Sequence, residues 1–184
     1  TGGLVGTMTT HSTISSSNNN GSIRGTDYTG GLVGKSDSAT IQDSYNNSTI
    51  TGTGSYTGGM AGAIVDNSVL TNTTLGNSNS SNSIYNAGTV NGQTFTGGLA
   101  GQSDHSTITG VYNRGTITGS ASVCGVVCQL DHSNNIQQSF NQGSVTGGND
   151  VGGIIGTSGN STVGDSYNSA TITANLSNSL NTGG

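Results

Sequence analysis

Gly2-Gly3-Leu4-Val5-Gly6 sets the phase of the whole chain, because small residues framing an apolar pair return five more times. The later copies are Gly30-Gly31-Leu32-Val33-Gly34, Gly58-Gly59-Met60-Ala61-Gly62, Gly97-Gly98-Leu99-Ala100-Gly101, Cys124-Gly125-Val126-Val127-Cys128 and Gly152-Gly153-Ile154-Ile155-Gly156. First positions are separated by 28, 28, 39, 27 and 28 residues. A period of that length marks a solenoid, in which each repeat is one supersecondary unit that cannot bury its apolar side alone.

Outward from the motif, each repeat carries two polar–apolar–polar triplets. The first holds Thr13-Ile14-Ser15 and Ser22-Ile23-Arg24, and the second Thr40-Ile41-Gln42 and Thr49-Ile50-Thr51. Later repeats give Thr107-Ile108-Thr109 with Thr116-Ile117-Thr118, Asn135-Ile136-Gln137 with Ser144-Val145-Thr146, and Thr162-Val163-Gly164 with Thr171-Ile172-Thr173. β-Branched residues at period two describe strands with one buried face. Counting the glycine motif, this predicts three short strands per coil in an all-β fold, a right-handed parallel β-helix of about six coils. At the strand spacing of about 4.7–4.9 Å, six coils make a rod roughly 25–30 Å long. Leu4, Leu32, Leu99, Ile14, Ile41, Ile108, Ile50, Ile117 and Ile172 are the expected core.

The aromatic residues fall into two columns of their own. Tyr45, Tyr85, Tyr112, Phe140 and Tyr167 precede the next motif by 12 to 16 residues, and Tyr28, Tyr56 and Phe95 precede it by two. Stacked coils turn such columns into ladders. The long third repeat carries its extra residues within about 66–83, since the step from Tyr85 to the next motif is unchanged. Insertions of this kind map to loops and often to a binding face, which makes Val69 to Ser81 a candidate contact lobe. The chain reads as one repeat domain, 1–184. Because it starts at Thr1-Gly2-Gly3 and stops at Thr182-Gly183-Gly184, it is expected to be a segment of a longer array or a subunit whose ends stack.

Polar composition narrows the function classes. Eight acidic residues, all Asp, face three Lys and Arg for a net charge of −5, so no basic stripe is present to track nucleic acid. Apolar runs such as Ala63-Ile64-Val65 are far shorter than a membrane span. With no Glu, a His-Glu-x-x-His zinc-protease helix cannot be written, and paired glycosidase carboxylates would have to be Asp alone. The chain is expected not to be an enzyme and to use no cofactor.

The glycine motif resembles the GLUG repeat, as do Ile41 to Asn46, read as Ile-x-x-Ser-Tyr-Asn, and Gly115 to Gly119, read as Gly-Thr-Ile-Thr-Gly. The resemblance covers essentially the whole chain and departs from the pattern at Cys124 and Cys128. GLUG repeats are known from large bacterial cell-surface and secreted proteins, including adhesins and the non-catalytic regions of immunoglobulin-A-cleaving metalloproteases. The resemblance implies an extracellular stalk, spacer or adhesive module, with a host or cell-surface ligand as partner.

Several residues are candidates for more specific chemistry. Asp37, Asp66, Asp104 and Asp131 follow the glycine motif and are weak calcium ligand candidates if they form a column; the alternative is that Asp and Ser cap these turns. Cys124 and Cys128 replace two motif glycines. Residues four apart in a straight strand lie about 13 Å from each other, whereas a disulfide needs Cα atoms within about 7 Å. A bond therefore requires a tight bend, and disulfide and paired free thiols both remain open. Thr49, Thr51, Thr116, Thr118, Thr171 and Thr173 would form an outward grid similar to the Thr-x-Thr arrays of ice-binding solenoids, interrupted by Arg24 and Asn91. Asn20, Asn46, Asn47, Asn72, Asn79, Asn160 and Asn175 open glycosylation sequons, so covalent glycan is a further expected partner.

Overall fold

The computed structural model describes residues 1–71 and 84–175. Among these residues, twenty-nine short strands, all paired in parallel and without a helix, stack as a β-solenoid of about six coils. A complete coil carries five strands rather than the expected three. In the second coil these are Val33–Asp37, Thr40–Gln42, Tyr45–Asn46, Ile50–Gly52 and Thr57–Gly58. Each lies on its counterpart in the neighbouring coils, giving four six-stranded sheets and one five-stranded sheet.

Two features account for the extra strands. The aromatic position and the asparagine after it form a two-residue strand, too short to show a periodic signal. The glycine motif, moreover, is a corner that joins two strands. Strand Thr29–Gly30 ends at the first glycine, and Val33 begins the next strand after a bend at Gly31-Leu32. At that bend one carbonyl, Met60 O, accepts from both Leu32 N–H (2.9 Å) and Val33 N–H (3.0 Å). The same two-to-one pattern recurs for Leu4 and Val5 on Leu32 O, Met60 and Ala61 on Leu99 O, Leu99 and Ala100 on Val126 O, and Val126 and Val127 on Ile154 O. A Cβ on Gly30 would meet Val33 O at 2.0 Å, so the corner closes this tightly because glycine stands there. The polar corners elsewhere are closed by residues in the left-handed region, among them His11, Ser38, Asp66, His105 and Ser133 along one edge.

The triplet residues Ile14, Ile41, Leu70, Ile108, Ile136 and Val163 stack in strict register. So do Ile23, Ile50, Val90, Ile117, Val145 and Ile172. Together with the apolar pair of each glycine corner they fill the interior, and Leu32, Leu99, Ile50, Ile108 and Ile117 are fully buried. Leu4 departs from the expectation: it is 46% exposed, because only one neighbouring coil covers it. Ile172 is half-buried at the other end for the same reason.

Both aromatic columns are ladders of parallel rings. Tyr45, Tyr85, Tyr112, Phe140 and Tyr167 stack with centroids 5.0–5.3 Å apart, and Tyr28, Tyr56 and Phe95 at 5.3 Å. Burial, followed by the neighbouring phenols, raises the pKa of Tyr56 and Tyr85 above the ordinary tyrosine value, which extends the range over which these rings stay uncharged further into alkali. Of the expected lobe at 66–83, Val69–Thr71 is an ordinary strand paired on both sides. Positions 72–83 lie outside the described residues.

One interior column contains a mismatch. Thr29, Thr57, Thr96, Val123 and Val151 share a register. Thr29 Oγ1 donates to Thr26 O at 3.0 Å, but the buried hydroxyls of Thr57 and Thr96 have no hydrogen-bond partner. Thr57 Oγ1 faces Gly52 much as Val123 Cγ2 faces Gly119, so a methyl fits where the hydroxyl stands. Thr57→Val and Thr96→Val are each expected to stabilise the fold by about 1 kcal/mol, read as a raised urea midpoint. A lowered midpoint would mean that these hydroxyls find partners in solution.

Candidate functional site

The most regular polar assembly is an internal one, formed by Asn46, Asn86, Asn113, Asn141 and Asn168, each following a ring of the longer aromatic column, and by Asn19, which shares their register. Their side chains point inward and bond to one another from coil to coil. Nδ2 of each donates to Oδ1 of the next, at 3.0, 2.9, 2.9, 2.8 and 2.7 Å along the column. Nδ2 also donates to the carbonyl two residues ahead, as from Asn113 to Gly115 O at 2.9 Å. Oδ1 accepts from the N–H of that same residue, Gly115 N at 3.2 Å. A central asparagine thus makes four hydrogen bonds, the full capacity of its amide, in a fully buried place. The ladder lies against the second glycine of each corner: a Cβ on Gly31, Gly59, Gly98, Gly125 or Gly153 would come within 2.4–2.7 Å of the asparagine Cγ. This assignment removes Asn46 from the sequons, since its amide is engaged and buried. Asn20, Asn47, Asn160 and Asn175 are exposed, while Asn72 and Asn79 fall outside the described residues.

The expected threonine grid occupies the outer face of one sheet. Register places Arg24, Thr51, Asn91, Thr118, Thr146 and Thr173 in one column. Thr49, Thr116, Thr118, Thr171 and Thr173 are exposed, and Thr51 is half-buried. The aromatic ladders offer a different surface from a flat sugar-stacking platform. Because their rings stack on each other along the column, the faces inside it are covered and the edges are left outward.

Cys124 and Cys128 stand on either side of one glycine corner and are joined by a disulfide, with Cα atoms 5.0 Å apart and both residues fully buried. The bend that brings them together is the corner every coil makes, so the bond exploits a geometry already present. Replacing both with glycine is expected to preserve the fold and lower stability by about 2 kcal/mol, the value for so short a loop. Cys124→Ser alone should cost more, because it also buries a hydroxyl where a sulfur stood. Urea midpoints of the two variants would check the order, and a double variant less stable than the single one would contradict it.

The four aspartates do not form one column. Asp37 pairs with Val65, because the turn after Ile64 is one residue longer than the turn after Ser36, and Asp66 moves on to the corner position with φ of 53°. Asp37 lies 3.6 Å from Lys35 Nζ. Asp131 uses both carboxylate oxygens to accept from Gln102 Nε2 and Gln129 Nε2, each at 2.8 Å. Asp104 turns the other way, with Oδ1 2.7 Å from His105 Nδ1 and 3.2 Å from His132 Nδ1. The expected calcium column is thus replaced by a mixed aspartate–histidine cluster. The sequence sets a histidine after Asp104 and after Asp131, but not both imidazoles on one carboxylate.

No protein-family model, curated protein or solved structure matches the chain.

Proposed function

We propose that this chain is a non-catalytic, extracellular repeat module: a rigid stalk or spacer that makes multivalent, low-affinity contacts from its outer polar columns. The observation that carries the reading is the closed interior. Apolar columns and the asparagine ladder fill it from coil to coil, so recognition is left to outward positions that repeat with each coil. A surface of this kind favours partners that are themselves repetitive, such as glycan chains or another cell-surface polymer, because many weak sites acting together raise avidity by about 10²–10⁴. The buried Cys124–Cys128 disulfide supports placement in an oxidising, extracellular setting, and the resemblance to GLUG repeats supports the same setting.

Glycan and cell-surface arrays probed with the 184-residue chain, as monomer and as dense display on beads, test this reading. Binding that appears or rises by orders of magnitude on display, and that falls gradually as Thr49, Thr116 and Thr171 are changed in turn, is the expected result. Equal binding in both formats, abolished by one substitution, would point to a single specific site instead. Thermal hysteresis in dilute solution would redirect the threonine grid to ice.

A second reading, end-to-end assembly into a filament, is favoured by the two ends of the ladder. Among the described residues, Asn19 Oδ1 accepts from Gly21 N alone and Asn168 Nδ2 donates to its own Ala170 O alone, leaving one acceptor and one donor position for a further coil. Leu4 and Tyr167 are exposed at the same two ends. A coil of the same chain or of a second copy would complete both. Concentration-dependent growth in analytical ultracentrifugation would support copies, and a constant monomer would remove that reading.

A further inference from the structure

We infer that Asp104, His105 and His132 form a binding site for one divalent late transition-metal ion of the zinc type. The three side chains come from corresponding turns of two adjacent coils, fixed by backbone bonds: Asp104 N–H donates to Ile64 O at 2.9 Å, and His105 N–H donates to His132 O at 3.0 Å. His105 occupies the left-handed corner position, with φ of 46°, which turns its ring alongside that of His132. The imidazoles stack with centroids 5.2 Å apart and 18° between their planes. Stacking puts the two Nδ1 atoms on the same side, where both meet Asp104 Oδ1. One ligand atom from each residue lies within 4.8 Å of the other two.

The donor set selects the ion. Two imidazole nitrogens and one carboxylate oxygen suit zinc and its neighbours, with water completing a tetrahedron. Calcium and magnesium require oxygen ligands, and the carboxylate in register on the next coil, Asp131, is held by Gln102 and Gln129. Access is open: the side chains of His105 and His132 are 50% and 72% exposed, while Asp104, at 27%, is the anchored member. An ion here would bridge the fourth and fifth coils through side chains and add a link that the backbone ladder lacks.

Isothermal titration of the intact chain with zinc chloride, and with calcium chloride in parallel, tests the assignment. The expected result is one zinc per chain, no calcium at the same concentrations, and a melting midpoint that rises with zinc excess. His132→Ala and His105→Ala are each expected to weaken zinc binding by at least about 100-fold while leaving the far-ultraviolet circular dichroism unchanged, as both side chains are exposed. His11→Ala, which alters the remaining histidine of the chain, should leave zinc binding as it was. Absence of zinc binding would overturn the inference, as would binding that survives in the His132→Ala and His105→Ala chains, is lost in His11→Ala, or is matched by calcium.

Discussion

Replacing Asn113 with leucine should cost about 4 kcal/mol or more, enough to unfold much of the rod or bring its urea midpoint close to zero. Leucine has the same branched skeleton but is bulkier, so overpacking would add to the loss from polar groups left behind. Asn86 Nδ2 and Asn141 Oδ1 each lose one of two partners, the C=O of Gly115 loses its Asn113 donor, and the N–H of Gly115 is left with Asn86 O alone at 3.2 Å, all in places shut off from water. Each buried orphan costs about 1–3 kcal/mol, against a total stability of about 5–15 kcal/mol for an ordinary domain. The same change at Asn168 provides the comparison. That residue is exposed, and it is bonded on one side to Asn141 and otherwise to its own turn. Water can replace what leucine removes, so Asn168→Leu should cost under about 1 kcal/mol. Urea titrations followed by circular dichroism would give both numbers. Similar small losses at the two positions would show that the ladder is a by-product of the backbone rather than a determinant of it.

Gly98→Ala is expected to be nearly as damaging, for a steric reason. Its new Cβ would stand 2.1 Å from Gly125 O and 2.6 Å from Asn113 Cγ, so both the next coil and the ladder would have to move. Overpacking of a filled interior usually costs about 1–3 kcal/mol. Here the obstructing atom is backbone and cannot rotate away, which places the value at about 3 kcal/mol or above. Gly6 is the control within the same motif, since a Cβ there meets nothing within 4 Å. Gly6→Ala should change stability by no more than about 0.5 kcal/mol. If both alanines are tolerated equally, the second glycine of the corner is not there to admit the asparagine.

These two predictions describe one device from its two sides. The asparagine amide needs a neighbour without a side chain, and the corner glycine needs a flat, satisfied group to cover it. That pairing gives a physical reason for the second glycine of the motif and the asparagine 15 or 16 residues after it to recur together. In the third coil the extra residues fall between the two members, and Gly59 still meets Asn86 although 27 residues separate them.

Much of this protein can be read from its sequence because coils stacked in register convert a sequence period into a spatial column. Ile41, Ile108 and Ile136 share one phase and therefore one column, and Tyr85, Tyr112 and Phe140 do likewise. The parallel solenoid, its main aliphatic columns and both aromatic ladders follow from that translation alone. The tertiary structure decided what depends on direction instead of phase. Asparagine in a polar stretch has the composition of a turn, and nothing local says that its amide points inward; the signal is its fixed place after Tyr45, Tyr85, Tyr112, Phe140 and Tyr167. The glycine motif has the pattern of a strand, yet two successive N–H groups sharing one carbonyl make it a corner, and that corner is what brings Cys124 and Cys128 within bonding distance. Asp37, Asp104 and Asp131 lie seven residues after the first position of the motif and Asp66 eight, and the turn one residue longer moves Asp66 out of line. Asp104 swings toward two imidazoles while Asp131 swings toward two glutamines, a choice made by the side chains that surround each carboxylate.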